Sequence, residues 1–124
     1  MGDIQAEVQA LNRYYGAGFA TLSPDGRSLM MRKLEGTPLH LLQPQQKPAD
    51  LFDKICQTLA RMNHAGIYPE DLCEANFLYA PRSGMVYPID LKSSSIDFND
   101  AQAVRRYRQA YEGGVGNLRN VASR

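Results

Sequence analysis

The run Tyr68-Pro69-Glu70-Asp71-Leu72-Cys73-Glu74-Ala75-Asn76-Phe77-Leu78-Tyr79, with its echo Tyr87-Pro88-Ile89-Asp90-Leu91 downstream, limits the fold more than any other feature of the chain. The first run reads as a loop carrying an Asp and an Asn that then enters a short apolar strand. The second reads as a short strand ending on an Asp. Pro81-Arg82-Ser83-Gly84 lies between them and has the composition of a tight turn, so the two strands are expected to form a hairpin. That hairpin would gather Asp71, Asn76 and Asp90 at one end. Oxygen ligands of this kind suit Mg²⁺, which takes one or two carboxylates and shares the rest of its shell with substrate phosphates.

The remaining segments supply what such a hairpin needs to pack against. Ile4, Val8, Leu11 and Tyr15 recur at helical spacing and predict an amphipathic helix over residues 3–15, ended by Gly16. Glu7 falls at the flank of this stripe, where periodicity alone reads it as solvated. Phe19–Leu22 and Ser28–Leu34 flank Ser23-Pro24-Asp25-Gly26, a strong turn sequence, and predict a second hairpin. Glu35-Gly36-Thr37-Pro38-Leu39 is expected to break regular structure, and Leu41 to Lys47 to be irregular. From Pro48 to about His64 the stripe Leu51, Ile55, Leu59 and Met62, widened by Phe52, predicts the longest helix, stopped by Gly66. Lys92 to Ser95 reads as a polar connector. Asn99 or Asp100 can cap a last helix running to about Glu112, with Val104, Tyr107 and Tyr111 inward and Arg105, Arg106 and Arg108 exposed. Gly113-Gly114-Val115-Gly116 and the remaining C-terminal residues read as a flexible tail. Helix, hairpin, breaker, helix, loop, hairpin, helix is an α+β pattern.

At 124 residues the chain is one domain with room for one core. A net charge of +1 advertises neither nucleic acid nor an anionic membrane. No apolar run reaches the length of a membrane span, and the N-terminus lacks a signal-peptide pattern. Cys56 and Cys73 lack metal-ligand spacing, His40 and His64 are not placed to complete a site with them, and both cysteines are expected to be buried free thiols.

The order Asp-Leu-x-x-x-Asn, strand, turn, strand, Asp is the base and magnesium half of a protein kinase site. Singly, Asp71 and Asn76 are ordinary loop residues and Asp90 an ordinary strand-end Asp. It is their order around one hairpin, behind an apolar helix, that points to phosphoryl transfer. Asp71 would orient the incoming hydroxyl, while Asn76 and Asp90 would hold the metal.

The chain resembles the small bacterial type III secretion effector kinases of the NleH and OspG group. The resemblance runs from about Glu7 to about Leu91. It is carried by Leu11-Asn12-Arg13-Tyr14-Tyr15-Gly16, by Met31 through Leu39 with its Gly-Thr-Pro-Leu, by Leu59 through Asn63, by Asp71-Leu72 with Asn76 to Tyr79, and by Tyr87 to Leu91. It implies a truncated protein-kinase-like fold: a small-lobe remnant over 1–34, a hinge-like linker over 35–39, a minimal C-lobe over 40–112 and a tail over 113–124. It also implies the cofactors Mg²⁺ and ATP. Asp71 then matches the catalytic Asp, Asn76 and Asp90 the metal ligands, and Glu7 the αC glutamate that pairs with a strand lysine. Residues around Met31 to Leu34, Lys33 among them, match the hinge beside adenine. Secretion into the host cytoplasm and a host protein as substrate or partner follow from the same resemblance.

The sequence departs from the pattern in four places. No Gly-rich loop or lysine-bearing strand precedes the first helix, Pro69-Glu70 stand where His-Arg is usual, and Leu91-Lys92 stand where Phe-Gly is usual. Two origins fit this start: a native short protein, or a segment of a longer effector. Two functions fit as well, a Ser/Thr protein kinase module and a non-catalytic pseudokinase or binding module that recruits a protein partner. A small lobe lacking its first strands would expose sheet edge, which invites self-association.

Overall fold

The computed structural model describes residues 2–70, 72–89, 91, 93 and 96–124, with Gly2 and Asp3 described by backbone alone. Its elements are α1 (Gly2–Tyr15), β1 (Ala20–Leu22), β2 (Leu29–Met31), β3 (Thr37–Pro38), α2 (Leu51–His64), β4 (Phe77–Ala80), β5 (Met85–Pro88) and α3 (Ala101–Ser123). Single 3₁₀ turns occupy Leu39–Leu41, Pro44–Gln46 and Glu74–Asn76. The α+β class and the kinase-like truncation expected from the sequence both hold.

α1 forms where its stripe predicts, with Leu11 and the neighbouring Ala10 fully buried and Val8, Tyr14 and Tyr15 packed against the core. Asn12 fastens it to the first hairpin. Its Oδ1 accepts from the Ala20 N–H at 2.7 Å and its Nδ2 donates to the Ala20 carbonyl at 3.0 Å, so one side chain satisfies both backbone groups of a strand residue. β1 and β2 pair antiparallel, Ala20 opposite Met31 and Leu22 opposite Leu29.

The second sheet has the order β3-β4-β5, all antiparallel. β4 and β5 are the predicted hairpin, with Phe77 opposite Pro88 and Ala80 opposite Met85. β3 corrects the expectation that residues 35–39 only break structure: Thr37 lies opposite Tyr79 and Pro38 opposite Leu78. Two residues are too few to show a period, and Pro38, which has no N–H to give, sits where proline is tolerated, on an edge strand. The close approach depends on Gly36 at φ +137°. A Cβ there would stand 2.9 Å from the Tyr79 carbonyl oxygen and 3.0 Å from the Leu78 Cβ.

α2 buries Leu51, Ile55, Leu59 and Met62 as the stripe predicts. Thr58 is buried among them. Its hydroxyl lies 3.0 Å from both the Lys54 and the Val86 carbonyls, which ties α2 to β5. The helix starts at Leu51 rather than Pro48, whose carbonyl instead accepts from the Leu51 N–H at 3.1 Å. Residues 41–47 are not wholly irregular: a 3₁₀ turn ends at Leu41 and another occupies Pro44–Gln46.

α3 is the largest correction. Asp100 caps it as expected, accepting from the N–H groups of Gln102 and Ala103 at 3.0 and 3.3 Å. The helix then passes through Gly113, Gly114 and Gly116 to Ser123, making it and not α2 the longest, so residues 113–123 are no flexible tail. Three interior glycines cost about 1 kcal/mol each relative to alanine. Tertiary contacts offset this. Leu118 and Val121 are 1% and 5% exposed, and burying each is worth about 1.5–3 kcal/mol. The Lys47 ammonium donates to the Val121 carbonyl at 2.6 Å and the Arg119 guanidinium lies 4.9 Å from the Phe52 ring centroid. Gly114 itself is a contact, since a Cβ there would fall 2.7 Å from the Leu72 Cβ. The two cysteines are free, but each is only half-buried, not fully buried as the sequence suggested.

These packings predict opposite signs for three similar substitutions. Gly113→Ala and Gly116→Ala, whose added methyl meets nothing within 4 Å, should raise stability by about 0.5–1 kcal/mol. Gly114→Ala should lower it by about 1–3 kcal/mol despite the same propensity gain. Urea unfolding of the three variants checks this, and a stabilised Gly114→Ala would refute the packing argument.

Candidate functional site

The predicted catalytic loop is built from its two ends inward. On the entering side the Tyr68 N–H donates to the Ser93 hydroxyl at 2.9 Å, Pro69 bridges Ser93 antiparallel, and the Tyr107 hydroxyl donates to the Pro69 carbonyl at 3.2 Å. On the leaving side the Asn76 N–H donates to the Cys73 carbonyl at 2.9 Å, closing the 3₁₀ turn that runs into β4. The Asn76 carbonyl then accepts from the Ile89 N–H at 2.9 Å, which carries the β4–β5 ladder one step past the Phe77–Pro88 pair. Leu72 and Leu91 are both buried. Asp71 and Asp90 lie outside the described residues. What the structure brings together is Asn76 with Ile89, and the 68–69 segment with Ser93.

α1 reaches the same end of the hairpin through Tyr15. Its hydroxyl donates to the Pro88 carbonyl at 2.6 Å, and its ring stacks on Phe19 with centroids 4.3 Å apart. Burial pushes the Tyr15 phenol far above its ordinary range, and Tyr14 and Tyr87 add to the shift, so Tyr15 stays a neutral donor at any physiological pH. Burial also raises Tyr14, against the opposing pull of Arg61. Glu7 is half-buried about two turns before Tyr15 on the same helix and is engaged in an interaction rather than free. Met31 is half-buried in β2 against the core, opposite Ala20, whereas Lys33 is exposed just past the strand.

Among the described residues no group of three His, Cys, Asp or Glu converges on a point. A nitrogen- or sulfur-ligated metal therefore has no site in the described part of the molecule. An oxygen-ligated ion shared with phosphate asks for less: the amide oxygen of Asn76 and one or two carboxylates. Asn76 stands half-buried at the hairpin end where such a set would have to assemble. A cleft of about 320 Å³ also opens beside the loop, between Leu72 to Glu74 and the far end of α3 at Asn117 to Arg124.

Sequence reasoning missed three residues that position this site. Tyr15 reads as one more member of a helical stripe, Ser93 as part of a polar connector, and Thr58 as a polar residue on a helix. Each acts through a hydrogen bond to a segment at least 25 residues away, and periodicity carries no signal for that.

Comparison with known proteins agrees with this architecture. The family model described as "Protein kinase OspG, kinase domain" matches residues 1–109. A protein of Methanothermobacter thermautotrophicus, described as "Probable bifunctional tRNA threonylcarbamoyladenosine biosynthesis protein", is 32% identical over 89 residues, covering 68% of this chain and 16% of that protein. The chain thus corresponds to a small part of that relative's length. With the family match extending from α1 into the first turns of α3, the chain belongs to the OspG protein kinase domain family.

Proposed function

We propose that the chain transfers a phosphoryl group from Mg²⁺-ATP to a serine or threonine hydroxyl of a host protein. In this reading Asp71 orients the incoming hydroxyl and takes up its proton, and Asn76, which immediately precedes β4, and Asp90 offer oxygen ligands to the metal. Mg²⁺, when bound, neutralises charge on the phosphate oxygens. Glu7 would hold a phosphate-binding lysine, and the backbone around Met31 and Lys33 would border the adenine. The observation that carries the reading is the bond between the Asn76 carbonyl and the Ile89 N–H, which sets the loop asparagine beside the strand that leads to Asp90. Secretion into a host cell rests on family membership. No helix of the described residues is long and apolar enough to cross a membrane.

A second reading, a binding module without catalysis, draws on a different observation. The two-stranded β1–β2 sheet leaves Leu22 and Met30 38% and 56% exposed. Pairing of that edge with another chain would cover them and account for self-association.

Titration with Mg²⁺-ATP, followed by backbone amide shifts, tests the first reading. Shifts should cluster at Asn76, Ile89 and Leu91, disappear in Asp90→Asn, and weaken roughly tenfold or more in Asn76→Ala. Asp71→Asn should keep nucleotide binding yet lower phosphoryl transfer by about 10²–10⁴-fold. Absence of any shift at millimolar nucleotide would sink the catalytic reading for these 124 residues and leave the binding module.

The clamp on α1 gives a separate prediction. Tyr15→Phe keeps the stack on Phe19 and loses the bond to Pro88, so it should cost about 0.5–1.5 kcal/mol in urea unfolding. If α1 is positioned by that bond, nucleotide affinity should fall in this variant even where the protein remains fully folded. Unchanged affinity would confine Tyr15 to a structural role.

A further inference from the structure

A second concavity, of about 200 Å³, lies on the N-terminal half of α3. Tyr68, Phe98, Val104, Tyr107, Tyr111 and Arg108 line it, with Asn63 from the last turn of α2. Its wall is a chain of aromatic rings: Tyr68 lies 5.4 Å from Phe98 and 6.2 Å from Tyr107, which in turn lies 5.9 Å from Tyr111. The Tyr107 hydroxyl is fixed on the Pro69 carbonyl, so the wall is pre-formed. Phe98 is 63% exposed, the most exposed large apolar side chain of the described residues. The Asn63 Oδ1 is buried without a hydrogen-bond partner among the described residues, while its Nδ2 reaches the Tyr111 hydroxyl only at 3.5 Å.

Size and charge decide what such a cavity suits. At about 200 Å³ it falls below the range of small-molecule and cofactor sites. It has room for one inserted side chain. Arg108 lies at its edge, with Arg105 one turn away on the same helix and Arg106 beside it, all three exposed. None of the three side chains makes an ion pair or hydrogen bond among the described residues. Among the described residues no acidic side chain lines the cavity. In a chain of net charge +1 this is a local concentration of unpaired positive charge beside an aromatic pocket.

We propose that this cavity docks an acidic protein segment, which inserts one aromatic or aliphatic side chain among Tyr68, Phe98 and Tyr107 and lays neighbouring carboxylates on Arg105 and Arg108. Aromatic pockets rimmed by arginine are where interface energy concentrates, and a guanidinium matches a carboxylate in bidentate geometry. A bound segment also brings backbone N–H donors to the side of the cavity where Asn63 stands. A single-stranded nucleic acid could stack on the same rings. Size and overall charge argue against it: a cavity of about 200 Å³ admits one inserted side chain rather than a run of stacked bases, and a net charge of +1 offers little to a long polyanion.

The test uses the full chain and a fluorescein-labelled twelve-residue peptide with one central Phe flanked by glutamates, followed by anisotropy. Saturable binding should weaken roughly tenfold or more when the Phe becomes Ala or the glutamates become lysines, and should also weaken as salt rises. In the protein, Phe98→Ala and the pair Arg105→Glu, Arg108→Glu should each weaken it by a similar factor. All three positions are exposed, and circular dichroism verifies that the variants fold. No saturation by millimolar peptide, equal binding of the lysine peptide, or indifference to Phe98→Ala would each overturn the proposal. Tighter binding of an oligouridine, lost in the arginine variants, would assign the surface to nucleic acid instead. A concentration-dependent dimer abolished by Phe98→Ala would assign it to a second copy. Nucleotide plays no part in this assay, so its outcome is independent of whether the chain transfers phosphate.

Discussion

β4 is paired on both edges and buried at every residue. Leu78 and Tyr79 pair with β3 on one side, all of Phe77 to Ala80 pair with β5 on the other, and all four side chains are out of solvent. A strand of this kind has no freedom of register, because a slip of one residue would exchange the two faces and strand its backbone groups without partners. The loop before it inherits that rigidity. Asn76 is the last residue before the strand, and its carbonyl continues the ladder onto Ile89. β3, held close by Gly36, and α2, held to β5 by Thr58, are the two supports that keep β4 in place.

The segments that could be read from the sequence are those whose signal is local. Phe77 to Tyr79 and Met85 to Tyr87, separated by Pro-Arg-Ser-Gly, fold as the hairpin they suggest, and the stripe Leu51, Ile55, Leu59, Met62 buries as its spacing demands. Gly16 and Gly66 close their helices with positive φ as expected. What escaped is non-local. β3 is two residues long and exists because Tyr79 and Leu78 are there to pair with it. The second half of α3 has three glycines and reads as a tail. It is helical because Leu72, Phe52 and Lys47 meet it from elsewhere in the chain. The candidate site divides in the same way: Asn76 could be picked out by its spacing from Asp71, but the tyrosine and serine that hold the surrounding backbone could not.

Family membership and local geometry address different questions here. The family match spans residues 1–109 and establishes the kinase relationship, while the last turns of α3, which lie beyond that match, cover Leu72 next to the loop. A segment outside the shared region thus packs directly against the most characteristic part of it. The aromatic cavity at the other end of α3 is formed by the same helix. One element therefore both closes the rear of the loop and presents the arginine-rich face.

The hydrogen bonds that fasten the site are among the longest in sequence separation: Tyr15 to Pro88 spans 73 residues and Lys47 to Val121 spans 74. Neither can form inside a single excised loop or hairpin, and each closes only once two distant parts of the chain have come together. The activity proposed for this site would consequently belong to the whole folded chain and not to any excised loop or hairpin. A substitution far from Asn76 that weakens folding would lower the number of working molecules while leaving the affinity of each unchanged. In a cell such a variant would look like reduced abundance rather than altered chemistry.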